Sequence, residues 1–262
     1  MGLLLLVACG GAEAMTQPVG AGARPTGTVE VGLVPGETMA FEIKLAGLLA
    51  GEAQLAVGEL GDYEGHRAVV VKSRAATAGA AALLKHVVDD ATTVVDMTSG
   101  RPLTLDNTVE QGDTKTTLTA RFTGHRVEIA STRPDDKAPR KQVIEFGEAS
   151  VHDAHSAMAE LRGWRADPGS KRSVFVIGGR RLWRIDVELV GPDTVGAATG
   201  NRRATRFRGE AYRINRSLTA ETAKPSRIFS VWLSDDADRV PLRLTATTEI
   251  GDIVMELTEY NR

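Results

Sequence analysis

Cysteine is almost missing from these 262 residues, with Cys9 the single one. One thiol excludes an internal disulfide and any zinc cluster of the cysteine-rich kind. Long apolar runs are missing too: no stretch approaches the roughly 20 residues that a membrane-spanning helix needs. Charge of one sign is not in excess, since the formal net charge is −2, so no global field draws nucleic acid. No Gly-x-Ser-x-Gly elbow occurs, no glycine-rich phosphate loop follows a strand, and no repeat divides the chain. A triad built from distant residues leaves no such trace, and nothing here points to one. What is present is an ordinary globular composition, 42% hydrophobic and 25% charged, enough for a sizeable core.

The chain opens MGLLLLVACGG. Gly2 to Ala8 is too short to span a bilayer but resembles the end of a secretory apolar segment. Leu6-Val7-Ala8-Cys9 resembles a bacterial lipobox, in which the peptide is cut before a cysteine whose thiol then carries diacylglycerol. The small Ala8 suits a narrow cleavage pocket, and a thiolate is the nucleophile such a transfer needs. Residues 1–8 are therefore expected to be a signal peptide. It is expected to start upstream of Met1, because no Lys or Arg precedes the apolar run. Leu6 excludes a myristoylation motif, which needs Ser or Thr there. Residues 9–36 hold many Gly and Ala, with three prolines and no apolar periodicity, and read as a flexible tether of roughly 30 Å.

From Glu37 the dominant period is two. Met39, Phe41, Ile43 and Leu45 alternate with polar or small residues, and Trp183, Ile185, Val187 and Leu189 oppose Arg184, Asp186 and Glu188. Residues 115–130 read as a hairpin through Thr123-Gly124, and Leu242 to Leu257 as another through Gly251-Asp252. About ten or eleven such strands predict an all-β fold over 37–262. The expected architecture is one curved, mainly antiparallel sheet forming a barrel or half-barrel. A single amphipathic helix is expected over about 150–162, lying against the concave side. Its start is read as a capping box from Ser150 to Asp153, its apolar stripe as Val151, Ala154, Met158 and Leu161, and its C′ residue as Gly163. Residues 131–141 and 191–201 read as loops, and 75–84 as a short helix or a loop.

Several stretches together resemble a bacterial envelope family, the domain of unknown function numbered 3108. They are Pro35-Gly36-Glu37 with Phe41-Glu42-Ile43, Leu48 to Ala53, Val95-Asp96 with Pro102, Asp153 with SAMAELR at 156–162, and VWLSDDADRVPLRL at 231–244. The resemblance covers roughly residues 35–260. It implies a secreted, largely β domain with no established activity and gives no catalytic residues.

Candidate chemistry is sparse. His152 and His155 stand three apart but lack a third ligand at zincin spacing, and read as a surface and a boundary histidine. Asp235-Asp236-Ala237-Asp238 lacks the glycine and distal glutamate of a calcium loop and reads as a solvated turn. Asp89-Asp90 and Asp96 do not form a carboxylate pair on alternation. No catalytic residue, metal or cofactor is assigned. Between Glu160 and Arg216, thirteen Lys or Arg stand against six Asp or Glu; Arg202, Arg206 and Arg208 on one strand face read first as a solvated outer face and second as the contact for an anionic lipid headgroup or glycan.

The leading expectation is a non-catalytic, lipid-anchored envelope protein on the outer membrane, facing the periplasm. It binds an apolar or lipid-like ligand through Phe41, Phe175, Trp183 and Met158, with Ala53, Ala56, Ala120 and Ala246 as small lining residues. Its partners would be the membrane, through Cys9, and the ligand, with no nucleic acid. The alternative is a structural or assembly protein with a packed core, and an envelope hydrolase stands third.

Overall fold

A computed structural model describes residues 30–262 apart from 148, 179–180, 198–199, 216–217, 222–224 and 249–250. Cys9 lies outside the described residues.

Two meanders make the fold. The first comprises β1 (Thr38–Leu45), β2 (Leu48–Val57), β3 (Gly61–Tyr63), β4 (His66–Thr77), the short helix α1 (Gly79–Leu84), β5 (Val87–Asp96), β6 (Pro102–Gln111), β7 (Thr114–Thr123), β8 (Arg126–Thr132) and β9 (Arg140–Glu145). The second comprises β10 (Val151–His152), helix α2 (Ala154–Gly163), β11 (Lys171–Gly178), β12 (Arg181–Ala197), β13 (Gly200–Ile214), β14 (Arg227–Ser234), β15 (Pro241–Thr248) and β16 (Gly251–Asn261). Strand β16 pairs with β1, Met255 opposite Ile43, and joins both meanders into one sixteen-stranded sheet. Every pairing is antiparallel except β10 with β11.

Directly opposed residues share a face. One row across the sheet reads Val187, Gly209, Phe229, Ala246, Ile253 and Leu45. Helix α2 lies on this face, where Met158 and Leu161 pack against Val187 and Phe229. On β11–β13 the opposite face is buried as well. There Ile177, Leu182 and Ile214 cluster with Leu105, Leu118 and Val127 of β6–β8, and the Phe146 and Phe175 rings stand 6.4 Å apart. The sheet thus rolls until its far strands cover the back of β11–β13. Its edges, β9 and β10, share no ladder among the described residues, so the roll is open, the half-barrel form of the expected fold.

Helix α2 starts one turn later than the sequence predicts. Asp153, not Ser150, is the N-cap: its carboxylate accepts from the backbone N–H of His155 and Ser156, completing a capping box with Ser156. A carboxylate at that end also meets the positive pole of the helix. Val151 and His152 pair with Phe175 and Val176 instead. Gly163 is the last helical residue, and a Cβ there would run into the Glu30 carbonyl oxygen. The chain before β1 crosses at that point: Gly32 N–H donates to Ala159 O at 3.1 Å and Leu33 is buried beside Ala159. The described end of the expected tether, 30–36, is therefore packed onto the domain.

Three other expectations change. Residues 191–197 and 200–201 are strand: a bulge between Leu189 and Gly191 shifts the register, Pro192 then pairs with Thr205, and Val195 is buried opposite Arg202. The 75–84 run splits between β4 and α1. His152 and His155 are both 2% exposed, neither surface nor boundary.

Candidate functional site

Between α2 and the rolled sheet lies a cavity of about 170 Å³. Small residues facing small residues create it. Helix α2 offers Ala154 and Ala157, and the sheet answers with Ala211 and Ala246. Met158, Leu161, Val187 and Val231 complete an apolar lining. Gly209 contributes too, since the Phe229 ring occupies the space its Cβ would fill. An apolar cavity of roughly 150 Å³ holds a benzene-sized guest, whereas drug-sized ligands need roughly 300 Å³ or more. This slot fits one apolar group or a stretch of a single chain.

The rim is polar. Glu160, Arg172, Arg227, Thr247 and Thr248 border it. Glu160 meets Arg172 at 3.0 Å and His152 Nε2 at 2.8 Å. Burial pushes the Glu160 carboxyl up, but the His152 hydrogen bond and the charges of His152 and Arg172 outweigh it and hold the group below its usual 4.5. Arg172 lies over the Trp164 ring at 5.5 Å, and Arg227 over Trp183 at 4.7 Å.

The residues expected from sequence are scattered. Met158 and Ala246 line the cavity. Trp183 is not among the lining residues but clusters with two of them, Val176 and Ala211, and its buried Nε1 has no acceptor among the described residues. Phe175 lies between the lining residues Val174 and Val176, so alternation turns it to the other face, against Phe146. Phe41 packs with Ile43, Met255 and Leu257 in a separate cluster. Ala53 and Ala120 fill other clusters and Ala56 is exposed. Arg206 and Arg208 oppose Trp232 and Ser230, turned away from the Phe207 face, and Arg206 stacks over Trp232 at 5.1 Å. Arg202 stands 3.6 Å from Asp236. None of the three reaches the rim. The arginines that do, Arg172 and Arg227, were not anticipated; Arg227, Phe229 and Val231 alternate on one strand, and that period was the available signal.

The other flank of α2 is tied by buried polar groups. Thr93 Oγ1 donates to Asp153 Oδ2 at 2.5 Å, which leaves it to accept from His155 Nδ1 at 2.7 Å. His155 Nε2 pairs with Ser73 Oγ at 2.8 Å, a hydroxyl that can donate to the neutral ring. Burial holds the His155 pKa below 6.5. Burial would raise Asp153, but His155, Ser156 and Thr93 outweigh it and keep the carboxyl low. Ser73, His155 and Asp153 superficially match a hydrolase order. Yet Ser73 lies mid-strand, with β4 laddered to β2 and β5, so the backbone amides around it are committed and no oxyanion donors flank it. This chain is an anchor.

A second anchor closes the helix's end. Arg162 donates to both oxygens of Glu37, at 2.6 and 2.8 Å, and to the carbonyls of Asp238 and Arg239. Arg239 returns a hydrogen bond to Arg162 O at 2.8 Å.

The family described as a protein of unknown function, DUF3108, matches residues 40–258. Among solved structures, a β-barrel-like protein of another domain of unknown function, DUF1849, from Brucella abortus, is similar with a TM-score of 0.53. It shares 8% identity, with 87% of this chain and 97% of that one covered. The hypothetical lipoprotein YmcC from Escherichia coli aligns with a TM-score of 0.31 at 11% identity, over 86% of this chain and 85% of its own. No curated protein matches. The stretches that carry the family resemblance, around Glu37, Arg162 and Arg239, are the ones that meet in the anchor beside α2, and the chain belongs to the DUF3108 family.

Proposed function

We propose that this protein is a non-catalytic binding module of the bacterial cell envelope. It is lipid-anchored at Cys9 on the outer membrane, facing the periplasm, and its single β domain over 37–262 holds an apolar or lipid-like group. The observation that carries the reading is the cavity under α2, walled by small and aliphatic side chains from both sides. An unfilled apolar space of this size costs stability that closer packing would recover, so its retention supports use. Leu6-Val7-Ala8-Cys9 supports the anchor.

The test expresses the full chain with a complete signal in a Gram-negative host. The protein should incorporate a fatty-acid label and sediment with membranes, and Cys9→Ser should abolish both. Purified protein should displace or bind a fluorescent fatty-acid probe at one site, and Ala246→Phe should remove that binding while the β-type circular dichroism is retained. Equal membrane retention of the Cys9→Ser protein contradicts the anchor. No probe binding by the unmodified protein contradicts the ligand reading and leaves a structural or assembly protein.

A further inference from the structure

Where β1 turns into β2, the end of the sheet carries an apolar tip. Leu48 is 75% exposed and Leu49 40%, and beside them Leu83 and Leu84 of α1 are each 89% exposed. Backbone and hydroxyl contacts hold this tip in place. Ala78 N–H donates to Ala50 O at 3.0 Å. Thr77 Oγ1 donates to Lys85 O and accepts from Val87 N–H, both at 3.0 Å, which ties the two ends of α1 together. Gly79, at φ +57°, turns the helix against Leu49, whose carbonyl oxygen would stand 3.3 Å from a Cβ there. No residue of α1 is buried. Four leucines fixed in water by such contacts mark a surface that meets an apolar partner.

The chemistry of the tip points to hydrocarbon as that partner. Residues 45–51 (LAGLLAG) and 78–84 (AGAAALL) hold no charge, no aromatic ring and no side-chain hydrogen-bonding group. Protein interfaces draw on aromatic anchors and directional polar contacts, and a bilayer interior needs neither. Lys85 and His86, both exposed, follow Leu84 directly and border the tip with groups suited to lipid phosphates. The tip also adjoins the cavity. Leu48 opposes Leu45, Leu45 opposes Ile253, and Ile253 opposes the lining residue Ala246, so one apolar row runs from the exposed end to the cavity wall. Ala46 N–H donates to Asp252 O at 2.9 Å, in the turn that follows the rim residues Thr247 and Thr248. Reach is sufficient as well. The chain enters β1 at Thr38, and the strand's 8 residues place the tip about 27 Å further on. The twenty residues between Cys9 and Glu30 can extend to roughly 70 Å, so an anchor at Cys9 and the tip can meet one bilayer.

We infer that Leu48 and Leu49 with Leu83 and Leu84 dip into a lipid bilayer, and that the apolar ligand passes between membrane and cavity at this tip. The docking stands on the tip alone, whereas the passage rests on the cavity reading above.

The test encodes a polarity-sensitive fluorescent amino acid in the full chain, in place of Leu84 or, as the control, in place of Ala56 at the far end of β2. Vesicles of phosphatidylethanolamine and phosphatidylglycerol, with a spin-label quencher on their acyl chains, are then added. The probe replacing Leu84 should shift to the blue and be quenched, and the probe replacing Ala56 should do neither. Equal quenching at the two positions overturns the docking, and so does quenching at neither, which leaves the tip to a protein partner. Passage is read with a fluorescent fatty acid carried in the same vesicles. Leu48→Ser combined with Leu84→Ser should slow its uptake at least about tenfold, the scale of one leucine's burial, while affinity for the free probe in solution is unchanged. Thermal melts check that this variant is folded. Uptake at the original rate overturns the passage and spares the cavity reading. No probe binding by the unmodified protein sinks the cavity reading and the passage together, and the quenching result still decides the docking.

Discussion

On one flank of α2, Asp153, His155 and Arg162 end in hydrogen bonds to Thr93, Ser73 and Glu37; on the other, Ala154, Ala157 and Met158 border an apolar cavity. Apolar contact is non-directional, and a helix held by it alone settles into whatever volume is free. Polar contacts fix distance and direction, and a buried donor or acceptor cannot drift without losing its partner. The locked flank therefore sets the height of the helix above the sheet, and the small residues of the other flank leave a gap at that height. The two regions act as frame and slot.

The frame should break hardest at its ion pair. Arg162→Met leaves Glu37, 0% exposed, as an uncompensated buried charge and should cost about 3–5 kcal/mol in urea unfolding. Adding Glu37→Leu should recover most of that loss, because the lone charge rather than the missing attraction carries the penalty. A loss below about 1 kcal/mol for Arg162→Met would mean the pair does not hold α2. Removing the cap by Asp153→Ala should cost about 2 kcal/mol, read by the same unfolding curve.

Acid should loosen the frame through His155. Its folded pKa lies below 6.5, so the unfolded state binds the proton first. The stability is complete above about pH 6.5 and is lost as the pH falls through the folded value, at up to about 1.4 kcal/mol per pH unit. Asp153, also held low, adds a similar loss only below its usual 3.8. His155→Gln should flatten the first slope and leave the second. An unchanged slope would place the titration elsewhere.

The slot gives the smallest effect, seen best beside a filled site. Ala120→Leu, in the packed β6–β8 cluster, should cost about 1–3 kcal/mol. Ala246→Leu, on the cavity wall, should change stability by less than about 1 kcal/mol or raise it. Equal costs at the two positions would mean that the space under α2 is already full.

Strand type was legible wherever one face is buried and the other wet, as at Met39–Leu45 and in the C-terminal hairpin, because alternation records that asymmetry directly. It did not show which strands the half-barrel covers, since on β11–β13 both faces are buried and Phe175 looks like its neighbours Val174 and Val176. The helix was visible by its stripe, but its start was not: Asp153 competes with Ser150 as a cap, and the pairing of Val151 with Phe175 decides it. Met158 and Ala246 were found because helical and strand periods both point inward at those positions. Arg227 was not, because its alternation with Phe229 and Val231 gives its face of the strand but not the tryptophan, distant in sequence, over which it lies.

Native mass spectrometry of the full-length protein, released from membranes in mild detergent, tests the frame-and-slot account most directly. The account predicts one adduct of single-chain lipid mass on the unmodified protein, absent from Ala246→Phe although that variant keeps the same β-type circular dichroism. Bare protein mass for the unmodified chain, under conditions that preserve a fatty acid on a known carrier, would contradict it.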